Sequence, residues 1–518
     1  MCRTGHKGGN CMKIFTQQQM RTAEQAAADG GVPFLRLMEN AGAACAAEIR
    51  ARLHPGQKTV ILCGKGKNGG DGFVIARKLS EAGFAAVVLL AFGRPRDEDA
   101  LYMLGKLEGT DVRIFDLTQN EAPRRLIPEA DVLVDAVFGI GFRGVADEDT
   151  AGLFRMVNAA KGTVYAVDLP SGLECDSGSV TGESIRADYT LAISEGKLCH
   201  VLQPAASHCG TVVPVRIGVE DVYYKHMPYY AYTFSGKEVR KVFPARPAVS
   251  NKGDFGKVLC ICGSMSFAGA AVLSASGALR SGAGLVYAAF PQSAYAAIGA
   301  KLTEAVLLPM PADTEGRFAA SAIAPVLQAM QGKQAIVLGC GLGQSAGTRE
   351  LVETVLKNAA CPVVLDADGI NLIAQNIDIL RAAKAPLVLT PHPGEMARLL
   401  RCTVDEVQRD RVGTASAFAK AYGVTLALKG ANTVVASPEG GAVYLNTTGN
   451  AGMAKGGSGD FLAGLLGGFL AQGVRFAAET ATYIHGLCGD RAANNLSGRG
   501  MLPTDCIAEL AHVLAEFE

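Results

Sequence analysis

Tryptophan is absent from this chain, and so is any surplus of charge: 49 basic residues balance 49 acidic ones. Such a balance leaves no basic face for nucleic acid or for an anionic membrane surface, and neither is expected as a partner. No uninterrupted apolar run is long enough to span a bilayer. The 14 cysteines fall singly, and no CxxC pair or Cys/His cluster has zinc-ligand spacing. Cys63, Cys260 and Cys262 lie inside apolar runs, where a small buried thiol is the expected role. Unpaired thiols in so large a chain fit a reducing, cytoplasmic setting. Residues 1–11 are polar and basic and lack the apolar core of a signal peptide, and Met12 serves equally well as a natural start.

Glycine is plentiful, with 62 residues, and hydrophobic residues make up 49% of the chain. That composition suits Gly- and Ala-rich α/β domains with large buried sheets and argues against disorder. At 518 residues the chain exceeds one ordinary domain.

The stretch Gly449 to Asp460 holds Gly449, Gly452, Gly456, Gly457 and Gly459, and an apolar run from Phe461 follows at once. Loose backbone running into a helix start brings N–H groups and partial positive charge to an anion. Asp460 at that helix mouth is a candidate base for a hydroxyl attacking a phosphate. A turn in which Asp460 merely caps the helix accounts for the stretch as well.

Earlier in the chain, Thr16 to Ala28 reads as a helix with Thr16 as N-cap and Gln19 closing a capping box. Phe34 to Leu53 is a second helix. Lys58 to Cys63 is a buried strand ending in the glycine-rich Gly64 to Gly72, followed by a helix from Phe73 to Glu81 and a strand from Ala85 to Leu90. This β-loop-α-β unit is Rossmann-like, although its glycine spacing is not GxGxxG. Further strands end at Asp135 and Asp168. Asp135 precedes the loop Gly139-Ile140-Gly141-Phe142-Arg143-Gly144, and Asp168 precedes Leu169-Pro170-Ser171-Gly172. Each polar strand end alone reads as a turn residue; Asn68, Asp135 and Asp168 together with two glycine loops read as a site.

The block Gly64 to Gly72 and the segment Ala166-Val167-Asp168-Leu169-Pro170-Ser171-Gly172 resemble the NAD(P)H-hydrate epimerases. Lys67 departs from that family, standing where its motif has a first Asn; it either removes a polar ligand contact or sets a cation beside a substrate phosphate. The resemblance implies a K⁺ ion held by Asn68, Asp135 and Ser171. It implies a hydrated cofactor bound by Lys67, Asn68, Gly69, Gly70 and Asp71, by Gly139 to Val145, and by Asp168 as acid/base. Amide, carboxylate and hydroxyl oxygens suit a large hard cation.

The aromatic stretch Tyr223 to Tyr230 breaks the α/β rhythm and is read as inter-domain packing. Expected boundaries are a first domain at 13–221, a linker at 222–234 and a second domain at 235–518. The second half repeats strand, polar turn and helix, with strand ends at Cys262, Leu338, Leu365, Leu389 and Leu428. That rhythm predicts a mostly parallel, doubly wound sheet with its site along one edge.

The segments 390–395 (TPHPGE), 429–435 (KGANTVV) and 449–460 (GNAGMAKGGSGD) resemble the ADP/ATP-dependent NAD(P)H-hydrate dehydratases of the ribokinase superfamily. Both halves together resemble the bifunctional NAD(P)H-hydrate repair enzymes. The resemblance implies that Ala268, Gly343, His392 and Asp460 touch the hydrate, with Asp460 as base. It implies that Lys429, Gly430, Ala431, Asn432 and Thr433, with Gly457 and Gly459, hold the nucleotide. The substrates would be NADH hydrate and NADPH hydrate. ADP is expected as phosphate donor, with ATP as the alternative, alongside Mg²⁺ and K⁺, and a homo-oligomer is expected. The rival readings are a small-molecule kinase of the same superfamily with an accessory N-terminal domain, and an N-terminal domain that binds without catalysing.

Overall fold

A computed structural model of the chain describes residues 12–518; the readings made of residues 1–11 lie outside the described residues. The chain divides into two compact units, Met12–Ala231 and Tyr232–Glu518.

The N-terminal unit is built on a parallel sheet whose strands run Arg113–Asp116, Ala86–Leu90, Thr59–Cys63, Val132–Ala136, Thr163–Val167, Tyr189–Ile193, Thr211–Val215. The buried runs of Ala86–Leu90, Thr59–Cys63 and Val132–Ala136 are what the middle of a sheet covered on both faces requires. The order reverses between Thr59–Cys63 and Val132–Ala136, so a crevice opens at the carboxyl ends of those two strands. The first helix is Gln17–Asp29, and Thr16 and Gln19 form the expected capping box. The second, Phe34–Arg50, buries Leu37, Met38, Ala41, Cys45 and Ile49.

One expectation is corrected. The helix after the first strand begins at Lys67, so Gly69, Gly70 and Gly72 lie inside it and not in a loop. A side chain at Gly72 would lie 2.7 Å from Cys63 Sγ and 2.8 Å from Ala136 Cβ, so the helix sits closer to the sheet than any other residue allows. The aromatic stretch, read as the end of the first domain or a linker, starts inside the N-terminal unit: Tyr224 is buried there, its ring 5.3 Å from that of Phe15. Aromatic area outweighs the weak local periodicity there.

The sheet of the C-terminal unit runs Val443–Leu445, Val434–Ala436, Thr425–Leu428, Leu387–Leu389, Val363–Leu365, Ala335–Leu338, Lys257–Ile261, Leu285–Pro291, Val306–Met310. Pairing is antiparallel across the first three strands and parallel from Thr425–Leu428 onward. Helix Ser458–Ala471 buries Phe461, Leu465, Leu466 and Phe469 against helix Ala268–Arg280 and the strands. The two helices touch backbone to backbone: a side chain at Gly464 would lie 1.9 Å from the Ser274 carbonyl oxygen. Among the described residues no helix is long and apolar enough to cross a membrane.

Candidate active sites

In the C-terminal unit, Gly457 takes φ 98° and turns the chain into helix Ser458–Ala471. A β-carbon disfavours that left-handed conformation, so glycine is the residue for the turn. Asp460 is the third helical residue, where first-turn amides have no intrahelical acceptor. It does not cap the helix by a side-chain hydrogen bond. The front of the glycine stretch is less free than its composition suggests. Gly449 N and Asn450 Nδ2 donate to Asp490 at 2.9 and 3.0 Å, and Lys455 Nζ donates to the Arg499 carbonyl at 2.7 Å. The anion-facing portion therefore narrows to the residues around Gly457–Asp460.

Opposite that helix start, Lys429 Nζ donates to Asp366 Oδ1 at 2.5 Å and lies 3.8 Å from Glu395 Oε2. Asp366 and Glu395 are 1% and 4% exposed. Gly459 faces this pair: a side chain there would come within 3.3 Å of Lys429 Nζ and 3.4 Å of Asp366 Oδ2. Burial, then the neighbouring Asp366 charge, pushes the Asp460 carboxyl up to about 6. His392 caps helix Pro393–Leu400 through Nδ1, which accepts from Gly394 N and Glu395 N, while Glu395 Oε2 accepts from His392 N at 2.8 Å. Gly343 N donates to Asp368 Oδ2 at 2.9 Å, and the Asp368 charge is felt at Asp460. Ala268 opens its helix beside Gly341, where a side chain would strike Phe267 and Ala270. The segment 429–433 is held from beneath by Arg411, which donates to the Ala431 carbonyl at 2.5 Å and the Leu428 carbonyl at 3.1 Å. Asn432 sits at φ 58° and donates to the Asn446 carbonyl, and Thr433 Oγ1 donates to the Gly430 carbonyl. Asp366, the segment 390–395 and Lys429 thus follow the carboxyl ends of adjacent strands, along one edge of the sheet. Asp366 as ion-pair partner and Arg411 as support were not singled out from sequence.

The N-terminal unit encloses a cavity of about 1120 Å³ at its topological reversal. Lys67, Asn68, Asp71, Gly139, Ile140, Gly141, Phe142, Arg143 and Asp168 line it. Phe92, Phe138 and Phe142 form a stacked aromatic wall, with ring centroids 5.5 and 4.8 Å apart. Lys67 Nζ stands 3.8 Å from the centre of the Phe34 ring, a cation–π contact at the cavity wall. Gly69 and Gly70 face inward, toward the Gly64 carbonyl and Met38. Gly144 N is tied to Glu174 at 2.8 Å, Val145 is exposed, and neither forms the wall. Arg143 reaches Gln17 and Asp176.

Beneath the wall lie Asp135 and Ser171, 1% and 0% exposed. Ser171 donates from N to Asp135 Oδ2 at 2.7 Å and from Oγ to Oδ1 at 2.6 Å, and Phe138 N donates to Ser171 Oγ. Burial pushes the Asp135 carboxyl up to about 6 against those hydrogen bonds. Asn68 packs against Gly139, and its buried Nδ2 has no hydrogen-bond partner.

Asp168 follows its strand at φ 68°, a strained conformation for a residue with a β-carbon. Its Oδ1 accepts from Lys197 Nζ and, at 3.1 Å, from Ile193 N. Its carbonyl pairs with His200 Nε2 at 2.8 Å. Burial pushes the Asp71 and Glu24 carboxyls up, that of Asp71 well above the usual range. Lys197, His200 and Glu24 were not read as site residues from sequence.

Residues 258–512 match the family model described as NAD(P)H-hydrate dehydratase, and residues 35–199 match that of the YjeF-related protein N-terminus. The chain is 36% identical over 518 residues to the bifunctional NAD(P)H-hydrate repair enzyme Nnr of Moorella thermoacetica, covering 98% of this chain and 97% of that protein. It is 33% identical over 500 residues to the enzyme of that name from Coxiella burnetii, covering 96% and 98%. Among solved structures it is similar to the ADP/ATP-dependent NAD(P)H-hydrate dehydratase from Bacillus subtilis co-crystallized with ATP/Mg²⁺. That similarity has 32% identity and a TM-score of 0.48, covering 55% of this chain and 97% of that one. With both halves matched in order and nearly end to end, the chain belongs to the family of bifunctional NAD(P)H-hydrate repair enzymes.

Proposed function

We propose that this chain repairs hydrated NADH and NADPH, dehydrating one epimer in the C-terminal unit and interconverting the epimers in the N-terminal unit. The observation that carries the first activity is Asp460. Its half-buried carboxyl, pushed up to about 6, stands in the first turn of a glycine-opened helix beside the Lys429–Asp366 pair. Hydroxide is a poor leaving group, so the C6 hydroxyl of the hydrate must be activated. Asp460 takes its proton while the oxygen attacks the terminal phosphorus of ADP, and AMP departs. The helix-start amides and Lys429 stabilise the charge in transit. The C6–O bond then breaks, phosphate leaves with the electron pair, the ring nitrogen supplies electrons, and loss of a C5 proton restores the ring double bond. Residues 429–433 with Gly457 and Gly459 hold the nucleotide, and Ala268, Gly343 and His392 border the hydrate. ADP is the proposed donor, with ATP the second candidate. Among the described residues no group of three or more His, Cys, Asp or Glu forms a metal cage. That fits Mg²⁺ carried mainly on nucleotide phosphates with one or two carboxylates such as Glu395.

In the N-terminal unit, Asp168 at the cavity wall is the acid/base for inversion at C6. The C6–O bond breaks as the departing hydroxyl gains a proton, for which Asp71 and Glu24 are available, and the ring nitrogen stabilises the cation. Water returns to the other face and yields a proton to the Asp168 carboxylate, and proton exchange with solvent then restores Asp168 and the donor carboxyl. Asn68, Asp135 and Ser171 carry amide, carboxylate and hydroxyl oxygens, ligand types that suit K⁺, and Ser171 and Asp135 are already joined by hydrogen bonds. K⁺ when bound would add positive charge beside the glycine loop.

The test is incubation with mixed NADH-hydrate epimers and ADP or ATP, following NADH absorbance and free phosphate. Complete return of NADH is expected. A stable phosphorylated product without phosphate release would establish the kinase reading instead.

A further inference from the structure

Lys197 is fully buried, at 0% exposure, although it carries a charge. Its ammonium donates to Asp168 Oδ1 and, at 2.7 Å, to the Ile193 carbonyl. The backbone around it closes a ring. Lys197 N donates to His200 Nδ1 at 3.3 Å, which leaves the proton on Nε2 to be donated to the Asp168 carbonyl. His200 stays neutral, pushed down to about 4 by burial. Oδ1 of Asp168 is thus held twice, and its second oxygen carries no such restraint toward the cavity. A buried ammonium is costly unless it is paired, so the fold retains this one for its partner. Glu24, Asp71, Tyr224, His200 and the thiols Cys45, Cys175 and Cys199 feel the Asp168 charge, and the cations Lys67 and Arg21 line the same cavity. Burial pushes the acids, the phenol and the thiols up and the histidine down, and Lys197 is the cation whose ammonium bonds the Asp168 carboxylate.

We infer that Lys197 is a positioning residue for epimerisation: it fixes Asp168 through Oδ1 and leaves the other carboxylate oxygen to exchange a proton with the hydrate. The inference rests on the proposed role of Asp168. Lys197→Met in the full-length protein, its fold checked by the two-unit melting profile, should lower kcat of epimerisation about 100-fold. KM should change less than about threefold, and the acidic limb of the pH–rate profile should move to higher pH. Dehydration of the competent epimer by the same chain should stay unchanged. Adding Lys197→Met to Asp168→Asn should cost little more than Asp168→Asn alone, because the first acts through the second. Wild-type kcat and pH profile in Lys197→Met, or losses that multiply in the double variant, would overturn the inference. Lys197→Gln, which keeps a donor, should fold and show an intermediate rate; loss of the N-terminal transition in both variants would overturn it in favour of a purely structural pair. A wild-type chain that dehydrates but does not epimerise would instead refute the role of Asp168 and carry the inference with it.

Discussion

Lys429 and Asp366 meet at 2.5 Å with the β-face of Gly459 turned toward both, so a cation and an anion share one wall of the C-terminal site. Asp366 is almost wholly buried and depends on that ammonium. Removing one partner of a buried pair strands the other charge, at a cost of about 3 kcal/mol. Lys429→Met should lower the stability of the C-terminal unit by that order in denaturant unfolding and raise the nucleotide KM at least about tenfold. Unchanged stability would show that Asp366 finds another partner.

Asp460 links catalysis to pH. As a base it must be ionised, so dehydration kcat/KM should fall as pH drops below about 6 and level off above it. Asp460→Asn should cut turnover by about 10²- to 10⁴-fold while the fold stands.

The same group links stability to pH with the opposite sense. Its carboxyl ionises at the ordinary value of 3.8 in the unfolded chain and about 6 in the folded one. Between those values the folded state holds the extra proton, so stability falls as pH rises through the window and stays lower above it. Asp460→Asn should therefore stabilise the C-terminal unit by about 3 kcal/mol at pH 8 and by little at pH 3. A differential melting profile at the two pH values reads this directly.

The donor set around Asn68 makes K⁺ dependence a separate test. Epimerisation by the full chain should fall at least about tenfold when tetramethylammonium replaces K⁺, and Asn68→Ala should abolish the difference between the two salts. An identical rate in both salts would remove K⁺ from the proposal.

Much of this was legible before any coordinates. The Thr16–Gln19 box forms as its spacing implies, because capping is a local matter. The strands announce themselves by continuous apolar runs, and the glycine-rich approach to Asp460 by its composition. The start of the helix at Lys67 was not legible: glycines count against helix locally, and only the nearness of Cys63 and Ala136 makes them necessary. Nor was Lys197, which lies 29 residues from Asp168 and joins it only because strand Tyr189–Ile193 returns beside Thr163–Val167. Lys429 and Asp366, 63 residues apart, are brought together in the same way. Long-range pairing of charges leaves no periodic trace along a chain.

The contact at Gly464 bears on how the C-terminal site tolerates change. Asp460 stands one turn ahead of a position where any β-carbon would run into the Ser274 carbonyl oxygen. A substitution there cannot be absorbed by rotating a side chain; the helix itself must slide or lift, carrying the base with it. A catalytic oxygen is thus aimed by an atom the chain omits. A single methyl group one turn behind the base would act as a misalignment of the reacting centre.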